Sequence, residues 1–262
     1  MKKVIYKLFK LIGFTVISNL VDSQRQLEIN NLKKENEKFK FLLSDNVSKK
    51  LELFNYYESS KSQICQDWFV LESLNYKKNG YFVEVGAASG VDLSNTFLLE
   101  KKYDWDGILS EPSPGWKETL EANRSCKKDY RCVYSESGKT VEFNQTTEKE
   151  YSTISAFSNS DKHQSKRRNF TQYEIATITL NDLLKEYNAP LEIDYLSIDT
   201  EGSEHEILKN FNFKKYSFKV ITVEHNNTVN KILINKLLEK NGYKRQLEEL
   251  SQFESWYTNS NF

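Results

Sequence analysis

At 262 residues the chain can bury a large core, and one substantial α/β domain with additions is expected rather than two full domains. Its 37 basic and 37 acidic residues cancel, which argues against a protein devoted to covering a nucleic-acid backbone, so no nucleic-acid partner is expected and charge is left to act locally. Cys65, Cys126 and Cys132 are odd in number and lack paired metal spacing, which argues against a disulfide scaffold or zinc knuckle and favours a reducing, cytoplasmic compartment.

At the amino terminus, Lys2, Lys3, Lys7 and Lys10 precede or flank the apolar run from Leu11 to Ile17. That run is well short of the roughly 20 residues that span a bilayer, and no clear small-residue cleavage site follows it. An amphipathic or packed helix is expected, with attachment to the inner membrane surface as the alternative. From Asp22 to Lys50 the chain is rich in Lys, Glu, Asn and Gln, with Leu27, Leu32, Phe39 and Leu43 forming a thin apolar seam. This is the pattern of a charged helix that either joins two copies of the chain or lies on its own domain. Residues 1–60 are therefore read as a helical extension, membrane-surface or oligomerising, and residues 61–262 as the main domain.

Beyond residue 60 the pattern is regular. Trp68 to Leu74 read as a helix leading through Lys77-Lys78-Asn79-Gly80 to a first strand, Tyr81 to Val85. Leu93, Phe97, Leu98 and Leu99 supply the face of a second helix, Gly107 to Ser110 a second strand, and Ser113 with Pro114 the start of a further helix. Strand three is expected at Arg131 to Tyr134, and a short extra strand at Val141 to Phe143. Residues 144–174 are polar and weakly periodic, an insertion rather than another βα unit. Thr179 and Asp182 have the spacing of a capping box before Leu180, Leu183 and Leu184, and Ser203 with Glu206 has it before Ile207 and Leu208. Ile193 to Ile198 and Lys219 to Val223 are strands four and five. A helix over Ile232 to Leu238 and a last strand around Ser255-Trp256-Tyr257 complete a mostly parallel sheet, whose site is expected at the carboxyl ends of the strands.

Two features point to that site. Glu84-Val85-Gly86-Ala87-Ala88-Ser89-Gly90 ends the first strand in a glycine turn. Ala88 stands where a dinucleotide fold has its middle glycine, and an acid precedes the turn, which suits a cationic or hydroxyl-bearing ligand better than a phosphate. Glu111, at the end of the second strand, lies about where a ribose-binding acid is expected. Separately these are a loop glycine pair and a surface acid; placed on consecutive strands they indicate a nucleoside cofactor.

The resemblance then becomes specific. Ser62-Gln63-Ile64-Cys65-Gln66-Asp67, Gly80 to Val91, Leu93-Ser94-Asn95-Thr96, Trp105-Asp106-Gly107-Ile108-Leu109-Ser110-Glu111-Pro112, Thr179 to Leu183, and Ile193 to Glu204 resemble the FkbM-type family of S-adenosylmethionine-dependent methyltransferases. The similarity covers roughly residues 62–258. It implies a Rossmann-like class I methyltransferase, an α/β fold with a mostly parallel seven-stranded sheet, an antiparallel seventh strand and helices on both faces. It also implies S-adenosylmethionine as cofactor and hydroxyls of sugars, glycans or related metabolites as acceptors. Carried onto these motifs, cofactor contacts fall to Glu84, Gly86, Ala87, Gly90, Asn95, Glu111, Pro112 and Asp199, with Ser135 or Glu136 near adenine.

On the acceptor side, Asp199 ends strand four, Glu201 follows it, and Glu224 and His225 end strand five. Asp199 is the first candidate for a catalytic role, with Glu201; His225 is a candidate general base oriented by Glu224 or Asp199. The plain readings are a helix-entry acid pair and a buried hydrogen-bonding histidine. Asp199, Glu201 and His225 would alternatively hold a magnesium ion, so a divalent metal stays open. The basic run from Asp161 to Arg168 is a solvated loop or a cover over an anionic acceptor. An O-methyltransferase acting on a sugar hydroxyl is the leading reading. A non-catalytic cofactor-binding adapter is the alternative, and a nicotinamide oxidoreductase is third.

Overall fold

The computed structural model describes residues 25, 26, 30 and 59–262. The chain divides into two units, Met1–Lys50 and Leu51–Phe262. Arg25, Gln26 and Asn30 have helical backbone; the other expectations placed on residues 1–58 lie outside the described residues. No described helix is long and apolar enough to cross a membrane.

In the second unit the strands are β1 (Tyr81–Val85), β2 (Asp106–Ser110), β3 (Lys127–Asp129), β4 (Cys132–Val133), β5 (Thr140–Thr146), β6 (Thr153–Ile154), β7 (Phe170–Ile178), β8 (Glu192–Ile198), β9 (Ser217–Glu224), β10 (Tyr243–Gln246) and β11 (Glu254–Asn259). The helices are α1 (Gln66–Ser73), α2 (Phe97–Tyr103), α3 (Lys117–Asn123), α4 (Leu180–Glu186), α5 (Glu204–Lys209) and α6 (Asn230–Lys240). Seven strands form one sheet in the order β10-β11-β9-β8-β1-β2-β3. The run from β9 to β3 is parallel, and β11 is antiparallel to both of its neighbours. This is the sheet that the family resemblance implied.

The central strands are apolar because both faces are covered. On one face Val83, Val85, Leu196, Ile198, Ile221 and Val223 pack with Leu183, Leu184, Ile207, Leu208, Ile234 and Leu238 of α4, α5 and α6. Each such side chain contributes roughly 2 kcal/mol by leaving water. On the other face Phe69 of α1 stacks on Trp256 at 5.0 Å, and Arg124, just past α3, lies 5.5 Å over the Phe82 ring.

Four expectations are corrected. The sheet's third strand is Lys127–Asp129, not Arg131 to Tyr134; Cys132–Val133 pairs with β7 in a second, four-stranded sheet of order β4-β7-β5-β6. A lysine-rich edge strand carries no hydrophobic run by which to be seen. The insertion at 144–174 holds no crossover helix, as expected, but much of it is strand: β5 and β7 pair antiparallel from Thr140↔Ala176 to Thr146↔Phe170. β7 is exposed on one face and half-buried on the other, where Tyr173 and Ile175 alternate with Gln172, Glu174 and Ala176, an alternation too short to stand out in a polar stretch. Leu93 does not join α2; it is exposed, with φ 62°, and the helix starts at Phe97. Finally, Thr179 caps α4 by accepting from the Asp182 N–H at 3.1 Å, but Ser203 does not cap α5. Its hydroxyl donates to Thr200 Oγ1, and Glu204 accepts from the N–H groups of Thr200 and Gly202, both at 2.9 Å.

Candidate active site

The ends of β1 and β8 meet through a glycine. Gly86 and Ala87 both donate their N–H to the Ser110 carbonyl, at 2.9 and 3.1 Å, which folds the turn back over β2. Gly86 has φ +89°, and a Cβ there would overlap the carbonyl oxygen of Asp199, so only glycine lets the two strand ends close. Ala88 is also left-handed, φ 45°. Its N–H donates to Glu111 Oε2 at 2.7 Å, and Ser113 N–H donates to the other carboxylate oxygen at 2.8 Å. Two donors fix the Glu111 carboxylate and leave lone pairs on both oxygens for hydroxyl ligands. Burial pushes its pKa up to about 7 against the pull of those two N–H groups, and the nearby Asp199 and Glu84 charges add to the rise.

Glu84 serves the loop more than the opening. Its carboxylate accepts from Asn95 N–H at 2.8 Å, Thr96 hydroxyl at 2.5 Å and Ser94 hydroxyl at 3.0 Å, with the Arg124 guanidinium 3.7 Å away. Gly90 faces backwards: a Cβ on it would meet Leu120 and Arg124 at 2.6 and 2.7 Å. Arg124 was not found from sequence. Its side chain is fully buried, pairs with Glu100 at 2.7 Å, and donates to the Gly90 carbonyl and the Ser94 and Thr96 hydroxyls. Asn95 bridges to β8 by donating to Ser197 Oγ at 3.0 Å, while its own carbonyl oxygen is buried without a partner on the cleft wall.

The cleft in front of these groups encloses about 840 Å³ counting its open mouth. Beyond Glu111 and Pro112 its apolar wall is Trp116, Cys132, Val133, Phe143 and Ile154. Ser135 and Glu136 do not line it; Glu136 is exposed and pairs with Lys139 at 3.4 Å. The shift follows from strand three: with β3 ending at Asp129, Cys132 and Val133 reach the wall in their place.

Strand alternation builds the acidic wall. Glu84, Ser197, Thr222 and Trp256 are register partners in one row across four strands. Two residues further along each strand axis, on the same face, stand Asp199, Glu224 and Glu254. Asp199 and Glu224 join Glu201, which follows in the turn with φ 59°, and the three carboxylates each bring an oxygen within 4.8 Å of the others. Burial raises the pKa of all three, and the Asp199 charge further raises Glu201 and Glu224.

His225, one residue past Glu224, is sent to the opposite face by the same alternation. Its Nδ1 accepts from Asn227 N–H at 3.1 Å, so Nε2 carries the proton and faces Ser255 Oγ at 3.0 Å. Burial lowers its pKa to about 4. The structure brings Asp199 and Glu201 together but leaves His225 outside the cleft, and Glu224 takes its place in the candidate metal set. Glu224 was legible at the end of strand five, Glu254 was missed though two-residue steps along the last strand lead to it, and Arg167 stood only as one member of the basic run. That residue, 3% exposed, donates to Glu201 Oε2 at 2.6 Å, holds both oxygens of Asp161 at 2.8 Å and reaches the Tyr151 carbonyl. One member of the expected basic loop is thus folded inward, tying the insertion to the β8 turn, while Lys166 stays outside with Glu148.

The residues present fit S-adenosylmethionine: a carboxylate fixed to receive hydroxyls, an orphan amide oxygen on the wall, a backbone cradle that a Cβ would fill, and an acidic surround for a sulfonium. A sheet of this order with this site defines a class I S-adenosylmethionine-dependent methyltransferase. The sequence model described as "Methyltransferase FkbM domain" matches residues 84–245. The chain belongs to the FkbM methyltransferase family. A search of curated proteins finds no match. Among solved structures, the chain is similar to precorrin-6y C5,15-methyltransferase from Geobacter metallireducens GS-15, at 14% identity over 69% of this chain and 71% of that one, TM-score 0.35. It is similar to a SAM-dependent methyltransferase from Aquifex aeolicus at 10% identity, 73% and 87% coverage, TM-score 0.34. Fibrillarin from Aeropyrum pernix, with natively bound S-adenosyl-L-methionine, matches at 13% identity, 69% and 66% coverage, TM-score 0.34.

Proposed function

We propose that this methyltransferase acts on a sugar hydroxyl of a glycan or glycan precursor, and that Asp199 takes the hydroxyl proton. The supporting observation is the position of Asp199, partly exposed at the rim where the β1 turn and the β8 end meet, with its carbonyl against Gly86 and its carboxylate beside Glu201 and Glu224. Glu111 would hold the ribose hydroxyls, the Gly86-Ala87 backbone and Asn95 the amino-acid end, and the apolar wall the base. The cofactor supplies an electrophilic methyl group. What the chain's residues do is align the acceptor oxygen for in-line attack and receive its proton, which positioning and a nearby base together accelerate. The family resemblance supports hydroxyl acceptors, and carboxylates at the rim suit removal of a hydroxyl proton. The three cysteines are free and buried, which suits a cytoplasmic setting.

The test is a glycan or metabolite extract incubated with the full chain and deuterium-methyl-labelled cofactor. A labelled sugar methyl ether is expected, and Asp199→Asn should slow its formation by about 100-fold or more with cofactor affinity nearly intact. Cofactor binding without any labelled product would favour the adapter reading instead.

A further inference from the structure

We infer that Gln145, on β5 of the insertion, is a positioning residue for the cofactor site: it holds the loop that fixes the Glu111 carboxylate. The inference rests on Glu111 as the ribose ligand. One face of β5 reaches the cofactor wall twice. Phe143 lines the cleft, and Gln145, two residues further on the same face, sends its Oε1 to the loop after β2. That one oxygen accepts from the Ser113 hydroxyl at 2.9 Å and from the Gly115 N–H at 2.7 Å. Ser113 in turn donates its own N–H to Glu111 Oε1 at 2.8 Å, so a chain of bonds runs from β5 through Ser113 to the carboxylate.

The local sequence explains why this loop needs an acceptor from outside. Pro114 has no N–H, so Gly115 is the first free donor of the turn Pro114–Trp116 that leads into α3. An N-cap serine ordinarily accepts from that donor. Here the Ser113 side chain makes no cap, because its hydroxyl is turned towards Gln145. The fit is close: a Cβ on Gly115 would lie 2.8 Å from Gln145 Oε1 and 3.0 Å from its Cδ. Lys149 grips the same loop at a second point, donating to the Gly115 carbonyl at 2.9 Å with its ammonium 4.8 Å over the Trp116 ring. The insertion therefore does more than cover the cleft; it sets the backbone donor that aims the ribose acid.

The test measures S-adenosylhomocysteine binding to the full-length chain by calorimetry between about pH 6 and pH 9. Gln145→Leu leaves Ser113 and Gly115 without their acceptor and should weaken binding about three- to tenfold. It should also raise the pH midpoint of binding by about half a pH unit, because a loosened Ser113 N–H stabilises the ionised carboxylate less. Glu84, Asp199 and Cys132, the other titratable groups that act on Glu111 or feel its charge, are unchanged in that variant. Gln145→Glu keeps an acceptor oxygen at the same reach and should stay within about twofold of wild type. Gly115→Ala needs to displace only the free end of a flexible side chain, so it should fold normally, as circular dichroism checks, and show the same two losses as Gln145→Leu. Affinity and midpoint unchanged in Gln145→Leu and Gly115→Ala, while Glu111→Ala weakens binding, would overturn the positioning role. Wild-type affinity that survives Glu111→Ala would instead overturn the ribose reading beneath it.

Discussion

The two walls of the cleft are built by opposite means. The cofactor wall is local: Gly86, Ala87, Ala88 and Asn95 sit in one stretch, and backbone N–H groups set the position of Glu111. The acidic wall is non-local: Asp199 and Glu201 after β8 line it, Glu224 and Glu254 at the ends of β9 and β11 stand behind them, and charge is balanced from the insertion by Arg167. Each wall has one buried guanidinium: Arg124 pairs with Glu84 and Glu100 behind the loop, and Arg167, equally buried, pairs with Asp161 and with Glu201, which lines the cleft. A sealed charge pair cannot be rescued by water, whereas Glu201, at the cleft, can relieve itself by taking up a proton.

That contrast can be broken most forcefully at Arg124. Arg124→Met leaves Glu84 buried without its cation and Glu100 with Lys101 in place of the sealed guanidinium, and should cost about 3–5 kcal/mol in urea unfolding and abolish cofactor binding. Arg167→Met should cost less than half as much and leave cofactor affinity within about threefold, since Glu201 can protonate; equal losses in the two variants would show that the walls do not differ. Next comes Gly86→Ala, where a left-handed alanine costs about 1–2 kcal/mol before its overlap with the Asp199 carbonyl is counted. Because this glycine joins the walls, stability and cofactor affinity should fall together.

A smaller effect separates the walls by pH. Glu111 has a folded pKa of about 7, above the roughly 4.3 of an unfolded glutamate. Its contribution to the unliganded protein is therefore fully present below about pH 4.3 and is lost as pH rises through about 7. Ribose hydroxyls donate to the ionised form, so cofactor affinity should tighten by up to about tenfold between pH 6 and pH 7.5, with proton release on binding below pH 7. Calorimetry in two buffers of different ionisation enthalpy measures that release, and its absence would show that Glu111 is ionised before the ligand arrives. The smallest change is Ala88→Gly, which relieves a left-handed alanine but adds unfolded-state freedom. It should shift stability by less than about 1 kcal/mol in either direction.

Much of the central sheet was legible because β1, β2, β8 and β9 are apolar runs bounded by turns, and Glu84, Gly86 and Glu111 stood at their ends. The misplaced elements share a cause. Lys127–Asp129 is a polar edge, and β7 buries only part of one face beneath a polar sequence, so neither leaves a strong hydrophobic trace. Ser135 and Glu136 followed strand three into the wrong place. His225 was grouped with Asp199 because sequence proximity to Glu224 counted for more than the twofold period of a strand, which separates neighbours by the thickness of the sheet.

By itself, the sequence determined the strand-turn-strand of the cofactor wall, since apolar runs, glycine turns and a terminal acid are written within a few residues of one another. Only the tertiary structure decided which acids share a floor, that Arg167 leaves the surface to neutralise one of them, and that Arg124 stands behind the loop. Those facts depend on register between strands far apart in the chain and on which charges lose their water when the sheet closes.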